Sequence, residues 1–421
     1  MKILFIACYS PFINNSASIE TLQYLNKLSE INNNEVHLLA VDFPKDSIYY
    51  DQALSELMDK KIKIHLVKGG PIFNKLIPKK KIVTGQTSNN KKLKFLRKVK
   101  NSLIIPDMYY SWVKPASEYG KSLMEKEKFD VIFSMHEPPS SHLCAYNIKK
   151  HNINVPWITY WSDPWLKDST RTSSFVFKKI RESGMEKKVV NLSDKFVFVT
   201  EANRDDYVNT YNIPKESTYI ITRGFDGEFF DKLLKEPKPE LIDENKVNIL
   251  YAGEIFSKLR DINPFIEALL EIKKESPELY SKINLLFFGN IDNATIKERL
   301  DSLDISTVRS RIPFNEAIKY MLNSEILLLF GNKNSKQIPA KIYEYFGAKG
   351  KIFVVYGDVN DPITKIVKDN PRCINTENSK DEIKEKLISL LKTKKEELMT
   401  EADKRYEWSS IVERLNSALD K

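Results

Sequence analysis

Stretches typical of buried β-strands alternate with helical stretches along this chain, and the alternation starts again near its middle. The first series includes strand-like runs at residues 2–8, 130–135 and 157–161, each followed by a helical pattern. A second series begins at 247–251 and continues to about residue 356. Strands that alternate with helices form parallel sheets with right-handed crossovers. The sequence therefore predicts an α/β protein with two doubly wound domains.

A polar stretch separates the two series. Residues 228–245 contain Lys-Glu-Pro-Lys-Pro-Glu, and proline in a polar context is typical of a connection between elements. We therefore predict a linker at 228–245. Ligands of doubly wound sheets bind beyond the carboxyl ends of the strands, so the loops after the strands are where functional residues are expected.

Composition excludes several classes of protein. The 421 residues include three cysteines that lie far apart, which excludes a full disulfide framework and a zinc-binding spacing. No apolar run approaches the roughly 18 residues of a membrane span. The six apolar residues after Lys2 are fewer than a secretory signal usually needs. We expect a cytoplasmic protein.

The positive charge is concentrated in one segment. Residues 71–106 contain ten Lys or Arg and no Asp or Glu, so this basic segment alone exceeds the net charge of +9 of the whole chain. Leu93, Leu96, Val99 and Leu103 recur within it at helical spacing. A basic amphipathic helix favours an anionic membrane surface, here the inner leaflet. A solvated basic helix is the alternative, and few aromatic residues argue against nucleic acid.

Common nucleotide and catalytic motifs are absent from the sequence. There is no GxGxxG turn, no Walker GxxxxGK[ST], no GxSxG elbow and no DxD pair. The lack of DxD argues against metal-dependent sugar transfer, and we expect neither a metal nor a cofactor.

Four loops that follow predicted strands concentrate small, polar and charged residues. In the first half, small and amide side chains let a ligand approach the backbone, a histidine can exchange a proton, and an aspartate between aromatics can bind a polyol. In the second half, a Gln-Ile-Pro turn precedes a lysine and a glutamate, which suit a phosphate and the two hydroxyls of a ribose. The candidates are Asn14, Asn15, Ser16, His136, Glu137, Asp163, Gln337, Ile338, Pro339, Lys341 and Glu344.

These loops resemble those of the retaining GT-B glycosyltransferases of the family-4 type, which are common in bacterial cell-surface polysaccharide synthesis. Residues 338–351 resemble the P-x-K-x-x-E-Y-x-A-x-G-K block of the family, and 251–254 resemble its Y-x-G segment. Residues 222–226 are similar to the N-G-x-D hinge, and 138–142 with 157–165 to the first-domain pattern.

The resemblance implies a GT-B fold, with two Rossmann-like domains facing across a cleft. Residues 1–223 would form the acceptor-binding domain and 224–404 the donor-binding domain. The final helix, 405–421, would pack back on the first domain. The implied reaction is front-face displacement with retention, in which the leaving diphosphate helps to deprotonate the acceptor without a metal.

The resemblance also assigns roles to residues. Glu344 would hold the donor ribose, Lys341 would face the phosphates and His136 would contact the donor sugar. The remaining donor-binding candidates are Gly253, Glu254, Gly289, Gln337, Ile338 and Pro339, and the acceptor or cleft candidates are Asn14, Asn15, Ser16, Glu137, Asp163 and Arg223.

The sequence departs from the family pattern at two charged positions. The family often has an arginine where Glu254 stands and a glutamate where Lys336 stands. Lys258 and Arg260 are the nearby cations that would replace the missing arginine as catalytic residues, although their register is shifted.

The expected function is transfer of a hexose or N-acetylhexosamine from a nucleotide diphosphate sugar, with UDP favoured. The acceptor would be a growing or lipid-linked glycan at the membrane. Two alternatives stay open from the sequence. The first is an inverting transferase or a nucleotide-sugar epimerase, and the second is a non-catalytic transferase-like subunit that binds membrane or a partner.

Overall fold

The chain consists of two α/β units, each built on its own parallel sheet. The computed structural model describes residues 1–79, 104–167, 176–334 and 337–420. Unit 1 comprises Met1–Thr222 and Val412–Lys421, and unit 2 comprises Arg223–Ile411. The predicted α/β class, with two doubly wound domains, is confirmed.

Unit 1 contains a seven-stranded sheet in the order β3-β2-β1-β4-β5-β6-β7, and every pair is parallel. The strands are β1 (Lys2–Ala7), β2 (Glu35–Asp42), β3 (Lys63–Lys68), β4 (Val131–Met135), β5 (Trp157–Trp161), β6 (Lys195–Phe198) and β7 (Thr218–Ile220). The helices are α1 (Ser16–Glu30), α2 (Gln52–Glu56), α3 (Gly70–Leu76), α4 (Tyr110–Lys126), α5 (Ser140–Lys149), α6 (Val176–Leu192) and α7 (Glu201–Tyr211).

The central strands of unit 1 are buried on both faces. All five residues of β4 and of β5 are buried, which explains why these strands read as continuous apolar runs rather than as alternating patterns. Side chains fix where the helices begin: the Asn15 carboxamide accepts a hydrogen bond from the Ser18 amide at 2.8 Å and starts α1. The Thr200 hydroxyl does the same for α7 through the Asn203 amide at 3.1 Å.

Unit 2 contains a six-stranded parallel sheet in the order β10-β9-β8-β11-β12-β13. The strands are β8 (Val247–Ala252), β9 (Ile283–Phe288), β10 (Ser306–Arg309), β11 (Ile326–Phe330), β12 (Lys351–Val355) and β13 (Cys373–Thr376). The helices are α8 (Gly227–Leu234), α9 (Asn263–Glu275), α10 (Pro277–Tyr280), α11 (Ala294–Asp301), α12 (Phe314–Leu322), α13 (Lys341–Gly347), α14 (Thr364–Val367), α15 (Lys380–Lys392) and α16 (Trp408–Asp420), whose last residues belong to unit 1.

The predicted linker at 228–245 is wrong in its first part. Asp226 accepts a hydrogen bond from the Phe229 amide at 3.0 Å and starts α8, which buries Phe230 and Leu233. These two apolar residues lie three apart, so they share one face of a helix. The two prolines that indicated a linker lie after this helix has ended.

The last helix is divided between the units. Residues 405–411, which we assigned with 412–421 to the first domain, contact unit 2: the Tyr406 ring stacks on Phe346 with centroids 4.4 Å apart. The Trp408 amide donates to the Phe225 carbonyl at 2.9 Å. From Val412 onward the helix contacts unit 1, where Asn416 accepts a hydrogen bond from Asn34 at 2.8 Å.

Most of the basic segment lies outside the described residues, and so does its predicted amphipathic helix. Residues 71–79 and 104–106 are described, and they include most of α3. None of the helices in the described ranges has the length and apolar character needed to cross a membrane.

Candidate functional site

The loops that follow β8 and β9 in unit 2 lie unusually close together. The Gly253 amide donates to the Phe288 carbonyl at 2.7 Å, at the carboxyl ends of these two neighbouring strands. Gly289 has a φ of +142°, and a Cβ built on it would lie 2.0 Å from the Gly253 carbonyl oxygen. Glycine is therefore required at position 289 for the two loops to pack in this way.

Arg260 is held against these loops by three groups. Its Nη1 donates to the Glu254 carbonyl at 2.6 Å and lies 3.5 Å from the Tyr251 hydroxyl, while its Nε donates to Asn332 Oδ1 at 3.0 Å. Asn332 in turn donates to the Gln337 carbonyl at 3.1 Å. The guanidinium is thus fixed to the loops after β8 and β11, and Asn332 tethers the Gln-Ile-Pro turn.

Lys341, the first residue of α13, brings a second positive charge to the same place. Its Nζ lies 5.2 Å from the centroid of the Tyr251 ring, and a Cβ on Gly253 would come within 2.1 Å of it. Burial and the charge of Arg260 lower the pKa of Lys341, although Glu344 and Glu254 oppose this shift. In the described part of the chain, neither Arg260 nor Lys341 forms a salt bridge.

Glu344 lies one helical turn after Lys341 and is half-buried. Burial raises the pKa of its carboxyl group, whereas the charges of Lys341 and Arg223 act in the opposite direction. Arg223, predicted as an acceptor or cleft residue, belongs to unit 2, and its charge acts on Glu344. The structure therefore brings Arg223 to the predicted donor-binding residues.

The predicted donor-binding residues occupy neighbouring loops of unit 2, whereas Lys258, predicted as catalytic, lies apart from them. Gly253, Glu254, Gly289 and Gln337 are joined to each other or to Arg260 by the contacts above, and Ile338 and Pro339 connect Gln337 to α13. Lys258 is exposed, and it adds to the hydrogen bonds from Ser257 that lower the pKa of Asp292. Of the two cations predicted to replace the missing arginine, the structure brings only Arg260 to Lys341.

His136 lies at the carboxyl end of β4 in unit 1 and is buried. Its ring stacks on Trp161 with centroids 5.4 Å apart, and His142 and Trp165 are also in ring contact with it. The His136 amide donates to the Tyr160 carbonyl at 2.8 Å, which fixes the backbone at the end of the strand. Contact of the His136 ring with a donor sugar stays a prediction.

The second histidine of this aromatic cluster is held in its neutral form. The His142 Nδ1 is 2.8 Å from the Ser134 hydroxyl, which accepts a hydrogen bond from Trp157 Nε1 at 2.8 Å. Burial lowers the pKa of His142 to about 3, so its ring carries no charge at neutral pH. The neutral His142 ring is thus part of the buried core at the start of α5.

The predicted acceptor residues of unit 1 lie in three loops beyond the strands. Asn15 starts α1 with its side chain, and Asn14 donates to the Asp51 carboxylate at 2.8 Å, while Ser16 is exposed. Glu137 has a φ of +75°, an unfavourable conformation for a residue with a side chain. Asp163 is half-buried just after β5. Their binding of an acceptor stays a prediction.

Asn332 is a site residue that sequence reasoning missed. It is buried, and it connects Arg260 to the Gln337 backbone. The available signal was its place two residues after β11, because ligands of such sheets lie beyond the carboxyl ends of strands. Its short polar side chain belongs to no motif, so the sequence alone did not distinguish it.

One group of metal-ligating side chain types comes together in the described ranges, at Glu35, His37 and Glu127. It lies around the amino end of β1, away from the loops above. Lys2 Nζ is 3.2 Å from Glu35 and 2.8 Å from Glu127, and Lys63 Nζ is 2.5 Å from Glu35. These lysines already neutralise both carboxylates, so the group is better explained as an ion-pair network.

Comparisons with known proteins relate one segment of the sequence and the overall fold to glycosyltransferases. Residues 81–229 match the family model described as Glycosyltransferase Family 4. No curated protein matches the sequence. A glycosyltransferase from Rickettsia africae ESF-5 has the same fold, with a TM-score of 0.61 at 15% identity over 100% of this chain and 97% of the other.

Two further structures share the fold over the whole chain. Anabaena HepE, solved in complex with UDP, has a TM-score of 0.59 at 12% identity and is covered completely. A putative UDP-N-acetylglucosamine 2-epimerase from Listeria monocytogenes has a TM-score of 0.59 at 12% identity, with 95% of that chain covered. The chain thus resembles GT-B glycosyltransferases of the family-4 type, by sequence in residues 81–229 and by fold throughout.

Proposed function

We propose that this protein is a glycosyltransferase that moves a hexose or N-acetylhexosamine from a UDP-sugar to a growing or lipid-linked glycan in cell-surface polysaccharide synthesis. One observation carries the proposal: Arg260 and Lys341 lie at the strand ends of unit 2 without a salt bridge in the described residues. Two neighbouring cations that form no salt bridge with the described residues favour a ligand with two negative charges, such as a diphosphate.

The groups around the two cations suit the rest of a nucleotide. The Glu344 carboxylate, one turn along α13, can accept hydrogen bonds from two ribose hydroxyls. The glycines at 253 and 289 leave room for the Lys341 ammonium group and the Gly253 carbonyl to pack at the strand ends. A UDP donor is supported by the UDP complex of Anabaena HepE, although that likeness concerns the fold alone.

The proposed reaction is a displacement with retention that needs no metal. The bond between the anomeric carbon and the UDP oxygen breaks, and the acceptor hydroxyl oxygen bonds to the same face of that carbon. The acceptor proton passes to the leaving diphosphate. Arg260 and Lys341 stabilise the negative charge that develops on the diphosphate, which is the role a metal has in other transferases. His136 would contact the donor sugar.

The acceptor would bind to unit 1, through the loops that contain Asn14, Glu137 and Asp163. A lipid-linked acceptor lies at a membrane surface, and the basic segment 71–106 would bind the anionic lipids there. Each basic side chain near such a surface contributes about 1 kcal/mol, so ten of them suffice for peripheral binding.

A nucleotide-sugar epimerase is the second candidate, because the fold is shared with the Listeria epimerase. An epimerase also binds UDP-sugar but needs no acceptor. The two functions therefore differ in whether the sugar leaves the nucleotide.

The test is to incubate the purified protein with labelled UDP-sugars, with and without a membrane lipid extract. We expect label in the lipid fraction and free UDP, and an α-linked product from an α-linked donor. A β-linked product would show inversion, and an altered sugar still bound to UDP would show epimerisation. Lys341→Ala should abolish the transfer, while Lys258→Ala should behave like wild type. If wild type catalyses neither reaction, the protein is a non-catalytic subunit.

A further inference from the structure

Helix α6 exposes large apolar side chains in its first two turns. Val176, Phe177 and Ile180 are 70%, 66% and 65% exposed. Ile180 lies four positions after Val176 and three after Phe177, so the three residues share one face of the helix. Over the same turns the helix turns a carboxylate inward: Glu182 is buried and lies 3.7 Å from Lys178 Nζ. This arrangement is the reverse of what a helix on a water-exposed surface needs.

All the exposed charges on α6 are positive. They belong to Lys179, Arg181, Lys187 and Lys188. The other carboxylate of the helix, Glu186, is buried, where it accepts a hydrogen bond from the Tyr207 hydroxyl. Arg181 lies over the Phe177 ring at 5.7 Å, so the exposed aromatic and basic groups form one surface.

The position of α6 in unit 1 relates this surface to the predicted acceptor loops. The helix connects β5 to β6, which are parallel neighbours in the sheet. In such a crossover the helix runs antiparallel to the strands, so it begins at the edge where the strands end. The first turns of α6 therefore lie at the same edge of the sheet as His136 and Asp163, which follow β4 and β5.

We propose that the exposed face of α6 binds the surface of an anionic lipid bilayer, with Val176, Phe177 and Ile180 inserted between the lipids. An apolar face with only basic charges around it is what an interfacial helix needs, because the apolar groups leave water and the cations meet the headgroups. This contact is separate from the basic segment 71–106. The proposed contact would bring unit 1 to a membrane-bound acceptor, and this biological role rests on the proposed function.

An environment-sensitive fluorophore placed at Ile180 tests the proposal directly. The three native cysteines are buried, so a nitrobenzoxadiazole label will attach selectively to the introduced thiol of Ile180→Cys. The matched control is Ile153→Cys, at a residue 58% exposed between α5 and β5, at the opposite edge of the sheet. The full chain is mixed with phosphatidylcholine vesicles with or without phosphatidylglycerol.

We expect fluorescence to rise at position 180 with phosphatidylglycerol vesicles, and to stay constant at position 153. Replacing Phe177 and Ile180 by Ser should weaken vesicle binding about tenfold or more, since two buried apolar side chains are lost. If position 180 does not respond while the protein still sediments with the vesicles, the basic segment binds alone and the proposal is wrong.

Two other results would also overturn the proposal. An equal response at both positions would indicate nonspecific adsorption. A response that depends on protein concentration without vesicles would show that a second copy of the chain covers α6. The assay contains no nucleotide, so its outcome is independent of whether unit 2 binds UDP.

Discussion

Arg260 is a residue whose chemistry the sequence suggested and whose position only the structure supplied. The family pattern has an arginine at the position of Glu254, and the Arg260 guanidinium instead donates to the Glu254 carbonyl at 2.6 Å. A side chain from six residues later thus brings a cation to the Glu254 backbone. The altered residue type at 254 need not remove the cation from the site.

We predict that Arg260→Ala weakens UDP binding by about 10- to 100-fold, because a hydrogen bond to a charged group contributes about 1.5–3 kcal/mol. Isothermal titration calorimetry measures this loss. Lys258→Ala is the matched control, since Lys258 is exposed and forms none of the contacts that hold Arg260 near Lys341. Equal losses in both variants would contradict the assignment of Arg260.

Lys341 gives the proposed site a pH dependence. Burial and Arg260 lower its pKa, so in the free protein it loses its positive charge at a lower pH than an ordinary lysine. Only the charged form attracts a diphosphate, so UDP affinity should fall as the pH rises from about 7 to about 10. Lys341→Arg keeps its charge throughout, and its affinity should not show this fall. If UDP affinity falls equally with pH in wild type and in Lys341→Arg, then a group other than Lys341 causes the fall.

At the scale of secondary structure, the carboxyl ends of β8 and β9 depend on a glycine contact that a methyl group would disrupt. We predict that Gly289→Ala destabilises unit 2 by about 2 kcal/mol or more, since its φ is +142° and the Gly253 carbonyl leaves no room for a Cβ. Gly184→Ala is the control: no atom lies within 4 Å of its Cβ position, and in helix α6 it should stabilise by about 0.5–1 kcal/mol. Thermal unfolding compares the two variants.

The packing of α6 on α7 includes a carboxyl group that resists ionisation. Burial raises the pKa of Glu186 from 4.5 to about 7, although the Tyr207 and Tyr211 hydroxyls donate to it and oppose this shift. Between pH 4.5 and about pH 7, Glu186 keeps a proton in the folded protein that it has lost in the unfolded chain. The free energy of unfolding therefore falls as the pH rises through this range, and the contribution of Glu186 is least favourable above pH 7.

We therefore predict that Glu186→Gln stabilises unit 1 at pH 8 relative to wild type, and that the gain shrinks below pH 5. The amide keeps the acceptor for Tyr207 without the charge, and the difference between the two pH values should be up to about 3 kcal/mol. Thermal unfolding at both pH values measures it. A gain that is independent of pH would show that ionisation of Glu186 is not the cause.

At the scale of the whole molecule, the sequence predicted the two doubly wound domains because their strands are apolar runs that alternate with helical patterns. It also predicted that Lys341 and Glu344 lie one turn apart on a single helix, which is a local relation and is observed in α13. It did not identify Asn332, because that residue acts through a contact with Arg260 across 72 positions of sequence. Nor did it show which of the two cations, Lys258 or Arg260, lies near Lys341, because tertiary contacts decide which side chain of a loop points to a site.

The short helix α8 was missed for a related reason. Only Phe230 and Leu233 are buried in this helix, so its apolar pattern is short. The prolines that follow it made the segment resemble a linker. Such a segment becomes helical because a neighbouring element covers its apolar face, which single-sequence periodicity does not report.

The proposed function requires that unit 2 bind uridine diphosphate through Arg260, Lys341 and Glu344. The most direct test is calorimetric titration of the full protein with UDP, GDP and ADP, without added metal, for wild type, Lys341→Ala and Glu344→Ala. We predict that UDP binds wild type most tightly and that each substitution weakens binding by about tenfold or more. If no nucleotide binds, or if all three proteins bind UDP equally well, these residues do not form a UDP site.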